Sequence, residues 1–169
     1  MSSPFDKDAI LRTWAPLDWQ SPQQISGEAL RYAQYYNLDF RERHPDLLHA
    51  FGYFDAADHQ IAVHAWMPPQ PRGTVLVCHG YFDHVGLYRH IIAHLVSRNY
   101  AVLAYDLPGH GLSSGPRAAI DDFLVYREVL TQCLARKENH FPTPWHVVAQ
   151  STGGAIILDY ALHVAPGKD

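Results

Sequence analysis

Three short apolar runs, each followed by a stretch of helical periodicity, constrain this chain more than any other feature. Gly73–Cys78, Tyr100–Tyr105 and Trp145–Gln150 are almost continuously hydrophobic over the length of a strand. Strands that read this way are covered on both faces, as in parallel sheets flanked by helices. After the first run, Leu87, Ile91, Ile92, Leu95 and Val96 give Gly86–Ser97 a helical period. After the second, Phe123, Tyr126, Val129, Leu130 and Leu134 do the same for Ile120–Lys137, and Gly153–Val164 follows the third. Strand–helix units in series predict an α/β fold with helices on both faces of a mostly parallel sheet.

Upstream the period changes. Phe51–Asp55 and Gln60–Met67 alternate as two strands of an antiparallel hairpin, with a turn at Ala56-Ala57-Asp58. Pro68, Pro69 and Pro71 end it, because proline cannot donate to a sheet ladder. Residues 1–49 read as a partly helical N-terminal extension packed on the domain of residues 50–169. Leu30, Tyr32, Ala33, Tyr36 and Leu38 have helical spacing there, with Ser26 as cap and Glu28 in the first turn. No function is legible in that extension.

Charge and composition remove several function classes. Lys plus Arg is 13 and Asp plus Glu is 17, a net charge of −4 over 169 residues. That balance carries neither a nucleic-acid footprint nor a polybasic membrane anchor. No apolar run approaches the roughly 20 residues that span a bilayer, so no membrane span is expected. Met1–Asp8 has neither the basic nor the apolar region of a signal peptide, so the expected location is cytoplasmic. Two cysteines make no disulfide framework, and Cys78 reads as a small buried hydrophobe. Of the twelve histidines, His90 and His94 share a helix face and His79 and His84 flank a turn. Neither pair has an acidic third ligand nearby, so no metal site is expected.

In open α/β sheets, ligands bind at the carboxyl ends of the strands. Three such ends are chemically unusual here: His79-Gly80-Tyr81-Phe82-Asp83-His84, Asp106–Ser114, and Ala149-Gln150-Ser151-Thr152-Gly153-Gly154. Ser151 sits where a strand turns sharply into a helix, in a variant of G-x-S-x-G with Ala149 for the first glycine. Gly153 and Gly154 are expected to keep the helix start close to the strand. The Thr152 N–H would lie at a helix N-terminus, where donors are unpaired and the dipole favours negative charge. The plainer reading of Ser151 is a helix-capping serine.

Together these three segments resemble the α/β-hydrolase superfamily, and within it the monoacylglycerol lipase, lysophospholipase and S33 serine aminopeptidase-like group. The resemblance runs from about residue 50 to the end of the chain. It implies an α/β-hydrolase-type three-layer sandwich, of which this chain holds the N-terminal part. It also implies Ser151 as nucleophile, with the backbone N–H groups of Tyr81 and Thr152 as oxyanion hole. In this pattern His79 and Gly80 support the loop, with His79 not the base, and Asp83, His84 and Tyr88 help hold it. The Asp106–Ser114 loop shapes the top of the sheet, and His110 and His146 are packed or surface residues. The implied substrate is a small-molecule acyl ester, with peptides left open, and the chemistry needs no cofactor. A serine rather than an aspartate at the elbow disfavours epoxide-hydrolase and dehalogenase chemistry.

A serine nucleophile needs a base and a group to orient it, and in this superfamily both follow the serine in the chain. Asp159 and His163 follow Ser151, four residues apart on a helix expected to lead away from it, and Asp169 is equally ill-placed. The resemblance further implies later strands and a cap. Without them the strand ending at Gln150 would present an unpaired edge, which isolated domains avoid. The reading is therefore the N-terminal half or so of a serine hydrolase of carboxylic esters, its acid and base expected downstream. A complementing fragment or self-association would cover the edge. The alternative is a catalytically incomplete half domain acting only in binding or assembly.

Overall fold

A computed structural model describes residues 4–136 and 141–164. These form a five-stranded mixed sheet in the order β1-β2-β4-β3-β5. β1 (Leu48–Ala56) and β2 (His59–Met67) make the hairpin, and Ala57 and Asp58 close it with φ of 48° and 61°. Both turn residues in the left-handed region match the twist of the strands they join. β2 then pairs antiparallel with β4 (Ala101–Tyr105), while β3 (Thr74–Cys78) pairs parallel with β4 and with β5 (Trp145–Ala149).

Alternate residues of the central strands feed two cores. Leu76, Cys78, Leu103 and Tyr105 face α4 (Leu124–Ala135) and α5 (Thr152–His163). Val75, Val77, Val102 and Ala104 face α1 (Lys7–Thr13), α2 (Gly27–Tyr35) and α3 (Arg89–Ser97). Helices on both faces make the three-layer arrangement expected of the runs, and all five residues of β3 and of β4 are buried.

Several boundaries differ from the periodicity. The stretch Gly86–Ser97 opens as a 3₁₀ turn, Val85–Tyr88, before α3 begins. α4 starts at Leu124 rather than Ile120, because the Asp122 carboxylate accepts the Leu124 N–H at 2.8 Å and sets the first turn there. The expected C-terminus of that helix, Lys137, lies outside the described residues. Ser26 stands at the N-cap of α2, but its side chain makes no capping bond. α1 was not legible from periodicity. It is only seven residues long and held by the Asp6 carboxylate, which accepts the Ala9 N–H at 3.0 Å.

β5 departs from the buried reading of its run and agrees with the unpaired edge expected at Gln150. Its sequence reads as a strand covered on both faces, yet Val147 and Val148 are 44% and 37% exposed. β5 pairs with β3 on one side, and among the described residues no strand lies on its other side. The opposite edge is strapped. The Leu17 N–H donates to Tyr53 O at 2.8 Å and the Tyr53 N–H to Ala15 O at 3.1 Å. Gly52 permits this close approach, since a Cβ there would lie 2.7 Å from Ala15 O.

Candidate active site

The three unusual segments meet where β3, β4 and β5 end. Ser151 joins β5 to α5 with φ 48° and ψ −115°, a backbone conformation costly for any residue but glycine. The turn is held by its surroundings. A Cβ on Gly153 would lie 2.6 Å from Cys78 O and 2.7 Å from His79 O, so the start of α5 rests directly on the end of β3. Gly154 differs from the expectation: it faces open space, and Gly153 alone makes the close approach.

That contact brings the loop after β3 against the serine. A Cβ on Gly80 would lie 3.5 Å from Ser151 Cβ. Tyr81 follows Gly80, and Thr152 is the first residue of α5. Among the described residues neither N–H donates a hydrogen bond. Ser151 itself is exposed.

The loop is held by a polar frame. His79 is buried, with Nδ1 donating to Gly80 O at 2.7 Å and Nε2 accepting the Leu107 N–H at 2.9 Å. Both ring nitrogens are thus committed to backbone, and burial pushes the imidazole pKa down. The Tyr88 hydroxyl accepts the Gly80 N–H at 2.9 Å and lies 2.9 Å from Asp83 Oδ2 and 2.6 Å from the Gln150 side chain. One hydroxyl therefore ties the loop to the residue preceding Ser151. Burial, opposed by the Gly80 bond and reinforced by Asp83, pushes the Tyr88 phenol up to about 12, so it stays protonated. His84 caps the 3₁₀ turn through Nδ1, which accepts the Gly86 N–H at 3.1 Å.

Asp106, fully buried at the end of β4, joins two of the loops. Its Oδ1 accepts the Val85 N–H and its Oδ2 the Leu112 N–H, both at 2.8 Å. Gly111, at φ 50°, is required beside it, since a Cβ would sit 2.1 Å from Asp106 Oδ2. His110 is buried against the Tyr81 ring, 5.3 Å between centroids, and His146 is exposed.

Asp159 and His163 do not approach the serine. Asp159 pairs with Arg127 at 3.2 Å and with His163 at 3.0 Å. At 1.5 Å rise per residue they stand about 12 and 18 Å along α5 from Ser151. Asp169 lies outside the described residues. No group of three or more His, Cys, Asp or Glu that could hold a metal occurs among the described residues, and none of their helices is long and apolar enough to cross a membrane. Sequence reasoning missed Tyr32, whose hydroxyl lies 3.1 Å from His84 Nδ1. It also missed the buried pair His49 and His64. Nothing local marks these residues, because their partners lie far along the chain.

A family profile described as serine aminopeptidase, S33 matches residues 69–168. The monoacylglycerol lipase of Mycolicibacterium smegmatis is 34% identical over 111 residues, 64% of this chain and 39% of that protein. Human monoglyceride lipase is 33% identical over 95 residues, 55% of this chain and 31% of that protein. The chain thus spans about a third of the length of these two relatives. A crystal structure of a CIB-like hydrolase from Thermoplasma acidophilum shares the fold, with a TM-score of 0.57 at 18% identity over 69% of this chain and 57% of that one. With the matched profile covering more than half of its residues and the elbow, the His-Gly loop and the buried Asp106 all lying inside the match, the chain belongs to the S33 serine aminopeptidase family of the α/β-hydrolase fold.

Proposed function

We propose that this chain supplies the nucleophile and oxyanion hole of a serine hydrolase acting on carboxylic esters of the monoacylglycerol or lysophospholipid type. The observation that carries the reading is Ser151 held at φ 48° beside Gly80, with the Thr152 N–H unpaired at the start of α5. Ser151 Oγ attacks the ester carbonyl and its proton passes to a histidine base. The Tyr81 and Thr152 N–H groups hold the oxyanion, where such donors are worth several kcal/mol. The alcohol leaves with that proton, and water then hydrolyses the acyl-serine. Asp159 and His163 are not that base and its orienting carboxylate, since they pair with each other about 12 and 18 Å along α5 from Ser151. The relatives' names, lipases of monoacylglycerols, support the substrate class.

Labelling of the protein by a fluorophosphonate probe tests this. Labelling that Ser151→Ala abolishes is expected; labelling that survives the substitution overturns the assignment of the nucleophile.

A second reading concerns residues 1–169 alone: a half domain that binds a complementing segment without turning over substrate. Among the described residues no strand covers the outer side of β5, which favours it. Ser151-dependent hydrolysis of a p-nitrophenyl ester by the isolated chain, well above the about 10³–10⁴-fold over water that an oxyanion hole alone can give, would overturn it.

A further inference from the structure

Helix α2 lies outside the matched segment 69–168, yet it reaches the loop that carries Tyr81. Tyr32 is buried at 3% exposure, and its hydroxyl lies 3.1 Å from His84 Nδ1. The same nitrogen is 3.1 Å from the Gly86 N–H, which can only donate. Nδ1 is therefore the acceptor, the imidazole proton sits on Nε2, and the Tyr32 hydroxyl is a second donor to the same lone pair. Helix and turn are packed without slack. The Tyr36 ring stands edge-on to His84 at 4.7 Å, and a Cβ on Gly86 would meet His84 Cε1 at 2.5 Å and Tyr36 Cγ at 2.7 Å.

His84 opens the 3₁₀ turn that begins four residues after Tyr81 and ends at Tyr88, whose hydroxyl holds the Gly80 N–H. The segment Gly80–Tyr88 is thus pinned at both ends, by Tyr88 on Gly80 and by Tyr32 on His84. We propose that Tyr32 is a positioning residue for the oxyanion hole: through His84 it fixes the 3₁₀ turn and with it the direction of the Tyr81 N–H. The proposal rests on the reading of Tyr81 as an oxyanion donor, and it gives the N-terminal segment a task in the site.

The His84 imidazole must be neutral for this to work. Burial favours the neutral form most. Arg117 and Lys7 also oppose a positive charge there, against Asp106 and Asp83, which favour it. A hydroxyl donating to Nδ1 further favours neutrality.

The test is Tyr32→Phe, which keeps the ring and removes the donor, with Tyr35→Phe on the exposed face of the same helix as control. In the protein that carries this chain, hydrolysis of p-nitrophenyl butyrate by Tyr32→Phe should show kcat about fivefold lower with KM unchanged, since one hydrogen bond is worth about a factor of five. The control should match wild type. In NMR titration, the His84 imidazole of Tyr32→Phe should protonate about half a pH unit or more above wild type. Amide exchange of Tyr81–Gly86 should quicken. An unchanged kcat, or a change confined to KM, overturns the proposal even where Ser151-dependent turnover stands. Absence of Ser151-dependent turnover in wild type overturns the hydrolase reading instead. The coupling of Tyr32 to the loop is then decided by the titration and the exchange, unmoved values overturning it.

Discussion

The imidazoles of His49 and His64 share one hydrogen bond, Nε2 to Nδ1 at 3.0 Å, and neither is reached by water. They sit side by side on the β1–β2 hairpin, His49 stacked on Trp66 at 4.5 Å and His64 against Phe51 at 4.6 Å. The outer nitrogens, His49 Nδ1 and His64 Nε2, have no hydrogen-bond partner among the described residues. A proton added to either ring would break the shared bond or place a charge among aromatic rings.

Acid should therefore unfold this protein through the pair. Burial pushes His64 down to about 4, with Asp106 opposing and His84 reinforcing, and pushes His49 well below its ordinary value, with His64 and Arg41 reinforcing. Both groups are bases whose folded pKa lies below the unfolded value of about 6.5. Their contribution is complete above pH 6.5 and is lost as the pH falls from there toward 4, where the unfolded chain binds more protons. For His64 alone the loss approaches about 3 kcal/mol. The urea midpoint, followed from pH 7.5 to 4.5, should fall steeply below 6.5; a flat midpoint contradicts the account.

Gly153 and Gly154 should respond oppositely to alanine. The Cβ of Gly153→Ala would collide with two backbone oxygens that cannot step aside, and overpacking of this kind costs about 1–3 kcal/mol. Gly154→Ala meets nothing and gains helix propensity, up to about 1 kcal/mol. Thermal denaturation of the two variants decides, and equal shifts would contradict it.

Replacing Ser151 should separate stability from reactivity. Ser151→Gly relieves a backbone that costs about 1–3 kcal/mol in a non-glycine residue, whereas Ser151→Ala retains the strain. The glycine variant should melt several degrees above the alanine variant, and both should fail to take a fluorophosphonate label.

Asp106→Ala should cost about 2–6 kcal/mol. It leaves the Val85 and Leu112 N–H groups without their acceptor in a buried site, at about 1–3 kcal/mol for each unsatisfied group. Urea denaturation measures the loss, and faster amide exchange at Val85 and Leu112 should locate it.

The parts of this fold legible in the sequence were those with a local cause. β3 and β4 announce themselves as unbroken apolar runs, and the Ala57-Asp58 turn follows from strand alternation. The elbow was legible too, because Ser151 and Gly153 stand at fixed offsets after a strand. The run Trp145–Ala149 records the face a strand is built for, not whether that face is covered, so only the expected unpaired edge at Gln150 pointed to the exposure of β5. Tyr32–His84 and His49–His64 join residues 52 and 15 positions apart respectively, and no periodicity reports on such pairs. The offset at Ile120 has a local cause, the carboxylate of Asp122.

Among the described residues the two borders of the sheet are unlike. At β1 the strap from Ala15 to Leu17 already occupies the outward backbone groups of Tyr53. Among the described residues no strand pairs with the outer side of β5, and Leu158 and Leu162 are exposed on the adjoining helix. A border whose outward backbone groups are already paired offers no template to another strand. The strap at β1 thus works as a terminator: a strand added at that border would first have to displace the Ala15–Leu17 segment from Tyr53.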